Sequence, residues 1–180
     1  MFRHTLQTAM ALSLSASLFA VPAVLSAQAA AKLDDPTIVA IFDAANTWDM
    51  ESSGLAATKS QQADVVNLAK MFVRDHSAVR QQGRDLAKKL GVTPTPPKDF
   101  AMAQDHAAAM AKLQGLSGAA FDRAYLEHEV AYHKAVIDAM NGTLLPAIQN
   151  PELKALVVKV APAFQAHMIA AQQLLDKQAK

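Results

Sequence analysis

The fold is decided by residues 65–90, which read VVNLAKMFVRDHSAVRQQGRDLAKKL. Apolar or small residues return every three or four positions along this stretch, and in an α-helix that spacing places them on one face. A helix with a continuous apolar face needs other helices to cover it, so the stretch predicts one long member of a helical bundle. The residues on this face are Val65, Ala69, Phe72, His76, Val79, Gly83, Leu86 and Leu90.

The same spacing returns in the last predicted helix, which begins at Asn150-Pro151 with a capping residue and a first-turn proline. Two long helices that both sustain a step of three and four favour near-antiparallel packing at about 20°. The face of this last helix holds Leu153, Val157, Val160, Phe164, His167, Ala171 and Leu174.

Capping and breaking residues divide the rest of the chain into further helices, and no strand-like alternation persists beyond a few residues. The predicted fold class is therefore all-α: a four-helix bundle with one extra short helix after the second long helix. The predicted helices run from Asp35 to about Ala57, from Ser60 to Leu90, from Asp99 to about Leu113, from Ser117 to Gly142 and from Asn150 onward.

The first residues have the pattern of a secretory signal. Arg3 precedes an apolar stretch over residues 9–25, and Ala27-Gln28-Ala29 then matches the small-residue pattern of a cleavage site. We predict a signal peptide over residues 1–29 and a mature domain over residues 36–178, located in the periplasm, with outer-membrane association as an additional option. The alternative is an N-terminal membrane anchor. After cleavage we expect no transmembrane span.

The composition excludes several classes of function. The chain has 17 Lys and Arg, 16 Asp and Glu, and no Cys, which excludes thiolate chemistry and Cys-ligated metal sites. The balanced charge contains no basic run, so we expect no nucleic acid partner. The expected protein partner is an envelope protein or a second copy of this chain. No nucleophile motif of the G-x-S-x-G type is present, and we assign no catalytic residue.

Ionisable side chains on the apolar faces are the chemical signal. Burying such groups costs several kcal/mol unless they are paired or bind a metal ion. Because they come from four predicted helices, we expect them to meet in the bundle core and to form a site for one Fe, Zn, Mn or Cu ion. The candidate ligands are Glu51, Asp75, His76, Glu129, His133 and His167.

A metal-free interpretation explains the same pattern. Pairs such as His76 with Glu129 and His167 with Glu51 satisfy one another by hydrogen bonding. The protein is then a structural or stress-response bundle that acts through its surface. The sequence leaves both interpretations open.

Four segments resemble one family of exported bacterial proteins, the domain of unknown function numbered 4142. They are residues 72–76 (FVRDH), residues 118–126 (GAAFDRAYL), His133, and Pro162 with His167-Met168. The resemblance extends from Pro36 to Leu175 and implies a ferritin-like helical bundle in the cell envelope. It implies no activity.

Proteins of the wider ferritin-like group carry inward carboxylates and histidines, and the resemblance assigns that role here to the six candidate ligands. The di-iron pattern of that group needs Glu-x-x-His on two helices. This chain has Glu129 and His133 four residues apart instead, which argues against a dinuclear oxidase or an iron store.

Overall fold

The computed structural model describes residues 33–98 and 100–178. The predicted signal peptide over residues 1–29 and the predicted cap Asp99 lie outside the described residues. Within them the chain is helical and has no strand, which confirms the all-α fold. The helices are α1 (Asp35–Lys59), α2 (Ala63–Leu90), α3 (Ala101–Gly115), α4 (Gly118–Ala139), α5 (Leu145–Ala147) and α6 (Pro151–Gln178), with a π-helical turn (Met140–Leu144) between α4 and α5.

The helices begin and end close to the predicted residues. The Asp34 carboxylate accepts a hydrogen bond from Thr37 N (2.9 Å), and Pro36 occupies the first turn of α1. Gly91 ends α2 in the left-handed conformation (φ +66°). The predicted stop at Gly142 is wrong, because the π-helical turn carries the chain onward into α5.

Four long helices form the bundle. α1 packs most extensively on α2, and α4 on α6, while α2 also contacts α6. The short α3 lies against α4. This arrangement confirms the predicted bundle with one extra short helix after the second long helix.

The core has two apolar clusters with a polar layer between them. One cluster includes Ile38, Phe42 and Phe164, and the other includes Val65 and Phe121. On each long helix a group of buried polar side chains falls between the stretches that supply the two clusters. This layer consists of Asn46, Asp49, Ser52, Ser53, His76, Glu129, His133 and His167.

The composition of the last helix is also compatible with a membrane-spanning helix. α6 is long and apolar enough to cross a membrane, although the same property is found in core helices of bundles. Leu153, Val157 and Phe164 of α6 are buried in the bundle. The expectation of no span after residues 1–29 therefore stays a prediction.

The α1–α2 packing generates a prediction at Gly83. A Cβ atom there would lie 2.8 Å from Cε1 of the buried Phe42 ring. We expect Gly83→Ala to lower the free energy of unfolding by about 1 kcal/mol, because overpacking outweighs the gain in helix propensity. Gly54 in α1 has no atom within 4 Å of the corresponding position, so Gly54→Ala is the control and should raise stability by up to about 1 kcal/mol. Urea unfolding measures both, and a stabilising Gly83→Ala would contradict the packing argument.

The contact of α3 with α4 generates a prediction about how the free energy of unfolding depends on pH. Burial, with smaller contributions from neighbouring His106 and Lys112, lowers the pKa of His128 to about 4. In the unfolded chain His128 binds a proton below about pH 6.5, whereas in the folded chain it binds one only below about pH 4. Because the unfolded state binds more protons in this range, His128 lowers the free energy of unfolding as the pH falls from about 6.5 to 4. We compare the free energy of unfolding of His128→Gln with that of the parent. We expect this difference to shift in favour of the variant by roughly 1–2 kcal/mol as the pH falls from 7 to 5. A difference that does not change with pH in urea unfolding would sink this assignment.

Candidate metal centre

Three buried histidines from three helices meet in the polar layer. His76 comes from α2, His133 from α4 and His167 from α6. The Nε2 atom of His76 lies 3.3 Å from Nε2 of His133 and 3.2 Å from Nδ1 of His167. The structure thus brings together the three histidines that the sequence predicts.

The outer nitrogen of His76 is held by a hydrogen bond that decides its tautomer. Asn46 Nδ2 donates to the Phe42 carbonyl oxygen (2.8 Å), so Asn46 Oδ1 faces His76 Nδ1 at 2.9 Å. Because Oδ1 only accepts, His76 Nδ1 carries the proton. Its Nε2 atom therefore presents a lone pair to the other two histidines.

The other two histidines follow the same rule. His133 Nδ1 donates to the backbone oxygen of Glu129 (2.9 Å), and His167 Nε2 donates to Asp75 Oδ2 (3.2 Å). The remaining ring nitrogens, Nε2 of His133 and Nδ1 of His167, therefore also carry lone pairs. Three lone pairs thus face one point, each fixed by an outer hydrogen bond, as is usual for histidines that bind metal ions.

Asp49 of α1 adds a carboxylate to this point. Its Oδ2 atom lies 3.3 Å from His76 Nε2 and 3.5 Å from His133 Nε2, and it has no hydrogen-bond partner. The side chain is completely buried. An unsatisfied carboxylate oxygen beside two of the imidazoles, those of His76 and His133, is the donor that the sequence analysis missed.

Glu51 was predicted on the inner face of α1, and this placement is wrong. Its side chain is 53% exposed and accepts a hydrogen bond from His106 Nε2 (2.7 Å) on α3. Trp48 stacks on the same His106 ring. Positions 48 and 51 thus face α3, whereas Asp49 faces the bundle core.

Glu129 and Asp75, the other predicted carboxylates, lie around the histidines. Glu129 is completely buried, accepts a hydrogen bond from Ser52 Oγ (2.8 Å) and leaves Oε2 without a partner. Asp49, Glu129 and His133 offer donor atoms within 4.8 Å of one another. Asp75 is partly exposed, and its contact with the three histidines is confined to the outer nitrogen of His167.

Burial controls the protonation of the layer. It lowers the pKa of His76 to about 2 and of His133 to about 3, and it also lowers the pKa of His167. The imidazoles are therefore neutral at neutral pH and keep their lone pairs. Burial raises the pKa of Asp49 to about 7, and burial together with the Asp49 charge raises the pKa of Glu129 well above its usual value.

The spacing of Asp49, His76 and His133 fits one face of a tetrahedral metal site, with His167 beside it. An ion about 2.0–2.1 Å from four tetrahedral donors holds those donors roughly 3.3–3.4 Å apart. The donor atoms of Asp49, His76 and His133 lie 3.3–3.5 Å from one another, and that of His167 lies 3.2 Å from His76 Nε2. Three imidazole nitrogens and one carboxylate oxygen are also ligands that first-row transition metals accept.

Comparison with solved structures gives a similar fold at low sequence identity. A structure described as CopM in the Cu(II)-bound form superposes with a TM-score of 0.62 at 14% identity, over 81% of this chain and 98% of that chain. At this identity the likeness shows the fold alone. Comparison with curated protein sequences gives no match.

The family match agrees with the resemblance in the sequence. The domain of unknown function DUF4142 matches residues 20–174, which include every helix of the bundle except the end of α6. The chain therefore belongs to the DUF4142 family.

Proposed function

We propose that this protein binds one divalent transition-metal ion, Cu(II) or Zn(II), between His76, His133, His167 and Asp49. The observation that carries the proposal is the convergence of three lone-pair nitrogens, with a buried carboxylate oxygen that has no hydrogen-bond partner 3.3 and 3.5 Å from two of them. A cation satisfies all four acceptors at once.

The metal-free interpretation satisfies this layer less well. For two imidazoles to hydrogen-bond each other, one of them must move its proton inward and lose its outer hydrogen bond to Asn46, Glu129 or Asp75. A protonated Asp49 donates to one ring nitrogen and leaves the other nitrogens unsatisfied. Each such loss in a buried site costs about 1–3 kcal/mol.

The donor set narrows the choice of metal. Three imidazoles and one carboxylate favour borderline divalent ions over soft Cu(I), which prefers thiolate and thioether ligands. Among divalent ions the affinity of such a site is highest for Cu(II), with Zn(II) next among those that accept a tetrahedron, and lower for Fe(II) and Mn(II). The Cu(II)-bound form of a protein with a similar fold is consistent with this order.

The site suits holding an ion better than turning over a substrate. Four protein donors complete a tetrahedral shell, and catalytic sites usually leave one position for water or substrate. All four donors belong to buried residues. We therefore propose that the protein sequesters the metal ion in the periplasm, to which the predicted signal peptide over residues 1–29 would direct it.

The first test is the stoichiometry of metal binding. We expect the mature chain to bind one Cu(II) or Zn(II) per molecule in competition with a chromophoric chelator. His76→Ala and His167→Ala should each weaken binding at least 100-fold, because each removes one of four donors. His106→Ala is the matched control, since His106 is a buried histidine that pairs with Glu51 on the far side of α1. An absence of stoichiometric metal in the parent protein would exclude the proposed function.

The second test concerns Asn46, which holds the His76 ring without reaching the metal point. We expect Asn46→Ala to lower metal affinity about tenfold or more, because outer hydrogen bonds fix the tautomer and orientation of ligand histidines. Thr47→Ala is the control, because the Thr47 hydroxyl bonds only to the backbone oxygen of Asp43 (2.7 Å). Equal affinities for the two variants would show that Asn46 has no part in the site.

A further inference from the structure

The ligand cluster comes nearest to solvent at His167. The His167 side chain retains 7% exposure, whereas those of Asp49, His76 and His133 have 0–1%. Its outer partner Asp75 on α2 is 32% exposed. The proposed donors therefore come closest to solvent at the seam between α2 and α6.

The outer partner of His167 also differs in kind from the other two. His76 and His133 donate to a neutral amide oxygen and a backbone oxygen, both buried. His167 donates to a carboxylate that can itself bind a cation. One carboxylate thus contacts both solvent and a proposed ligand.

A surface arginine occupies the same carboxylate. Arg74 Nε donates to Asp75 Oδ1 (2.8 Å), while Oδ2 accepts from His167, so each Asp75 oxygen has one donor. Arg74 is 72% exposed and is free to swing away into solvent. Its positive charge stands at the outer end of the seam and repels an approaching divalent cation.

We propose that the metal ion enters and leaves along the α2–α6 seam, with Asp75 as the outer docking carboxylate and Arg74 as the residue that limits the rate. An arriving cation displaces the Arg74 guanidinium from Asp75. Rotation of the His167 ring then passes the ion to the inner donors. This inference rests on the proposed metal site and adds to it the route of exchange and the control of its rate.

The test measures the rate of metal loading in the full mature chain by stopped-flow. Trp48 is the only tryptophan and is adjacent to Asp49, so quenching of its fluorescence by Cu(II) reports arrival at the inner site. We expect Arg74→Gln to load about three- to tenfold faster than the parent at low salt, with the difference shrinking at 0.5 M salt. Equilibrium affinity should change less than the rate.

The matched control is Arg84→Gln. Arg84 is an exposed arginine of the same helix and also pairs with a carboxylate, with Arg84 Nη2 3.0 Å from Asp43 Oδ2, but it lies more than two turns from His76. Asp75→Asn should load more than tenfold slower, because the docking charge is lost. Circular dichroism verifies that each variant is folded.

The outcomes separate the two proposals. If the parent binds metal but Arg74→Gln and Arg84→Gln load at equal rates, or if Asp75→Asn loads as fast as the parent, the route is overturned while the site stands. If the parent binds no stoichiometric metal, the site itself fails and the route fails with it.

Discussion

The polar layer depends on one constraint: each buried imidazole must satisfy its two nitrogens in different ways. Water is excluded, so the outer nitrogen of each ring needs a protein acceptor. Asn46, the Glu129 backbone and Asp75 supply the three acceptors. Once those bonds are made, the inner nitrogens can no longer donate to one another. The hydrogen bonds at the edge of the layer thus leave its centre with acceptors and no donors.

Apolar packing of the surrounding helices offsets the free-energy cost of burying this polar layer. Apolar clusters on both sides bury large side chains such as Phe42 and Phe121, and each fully buried side chain of this size contributes roughly 1.5–3 kcal/mol. The polar layer needs no stability of its own, because packing above and below it holds the four helices in register. The same packing keeps Asp49 in contact with His76 even though burial raises the pKa of its carboxyl group.

The sequence predicted the fold and the histidines because α2 and α6 carry strong apolar periodicity. His76 and His167 occupy seam positions that only burial explains. The sequence of α1 does not identify its buried face in the same way, because alanines and apolar residues lie on several faces of this helix. Trp48 and Glu51 looked like core positions because α3 covers that side of α1. Two residues along a helix turn about 200°, so exchanging Asp49 for Glu51 selected the wrong face. The sequence signal for the correct face was the recurrence of small polar residues every three or four positions. These residues are Asn46, Asp49, Ser52 and Ser53.

The spacing of four residues between Glu129 and His133 sends their two side chains to different parts of the polar layer. With a step of four, His133 lies one turn beyond Glu129, and its Nδ1 atom reaches the Glu129 backbone oxygen. The ring then points its Nε2 atom toward His76, away from its own helix. The Glu129 side chain instead accepts a hydrogen bond from Ser52 of α1, and burial together with the charge of Asp49 raises the pKa of its carboxyl group. One helix thus supplies an imidazole that reaches His76 and a buried carboxyl group that leaves Oε2 without a hydrogen-bond partner beside Asp49 and His133.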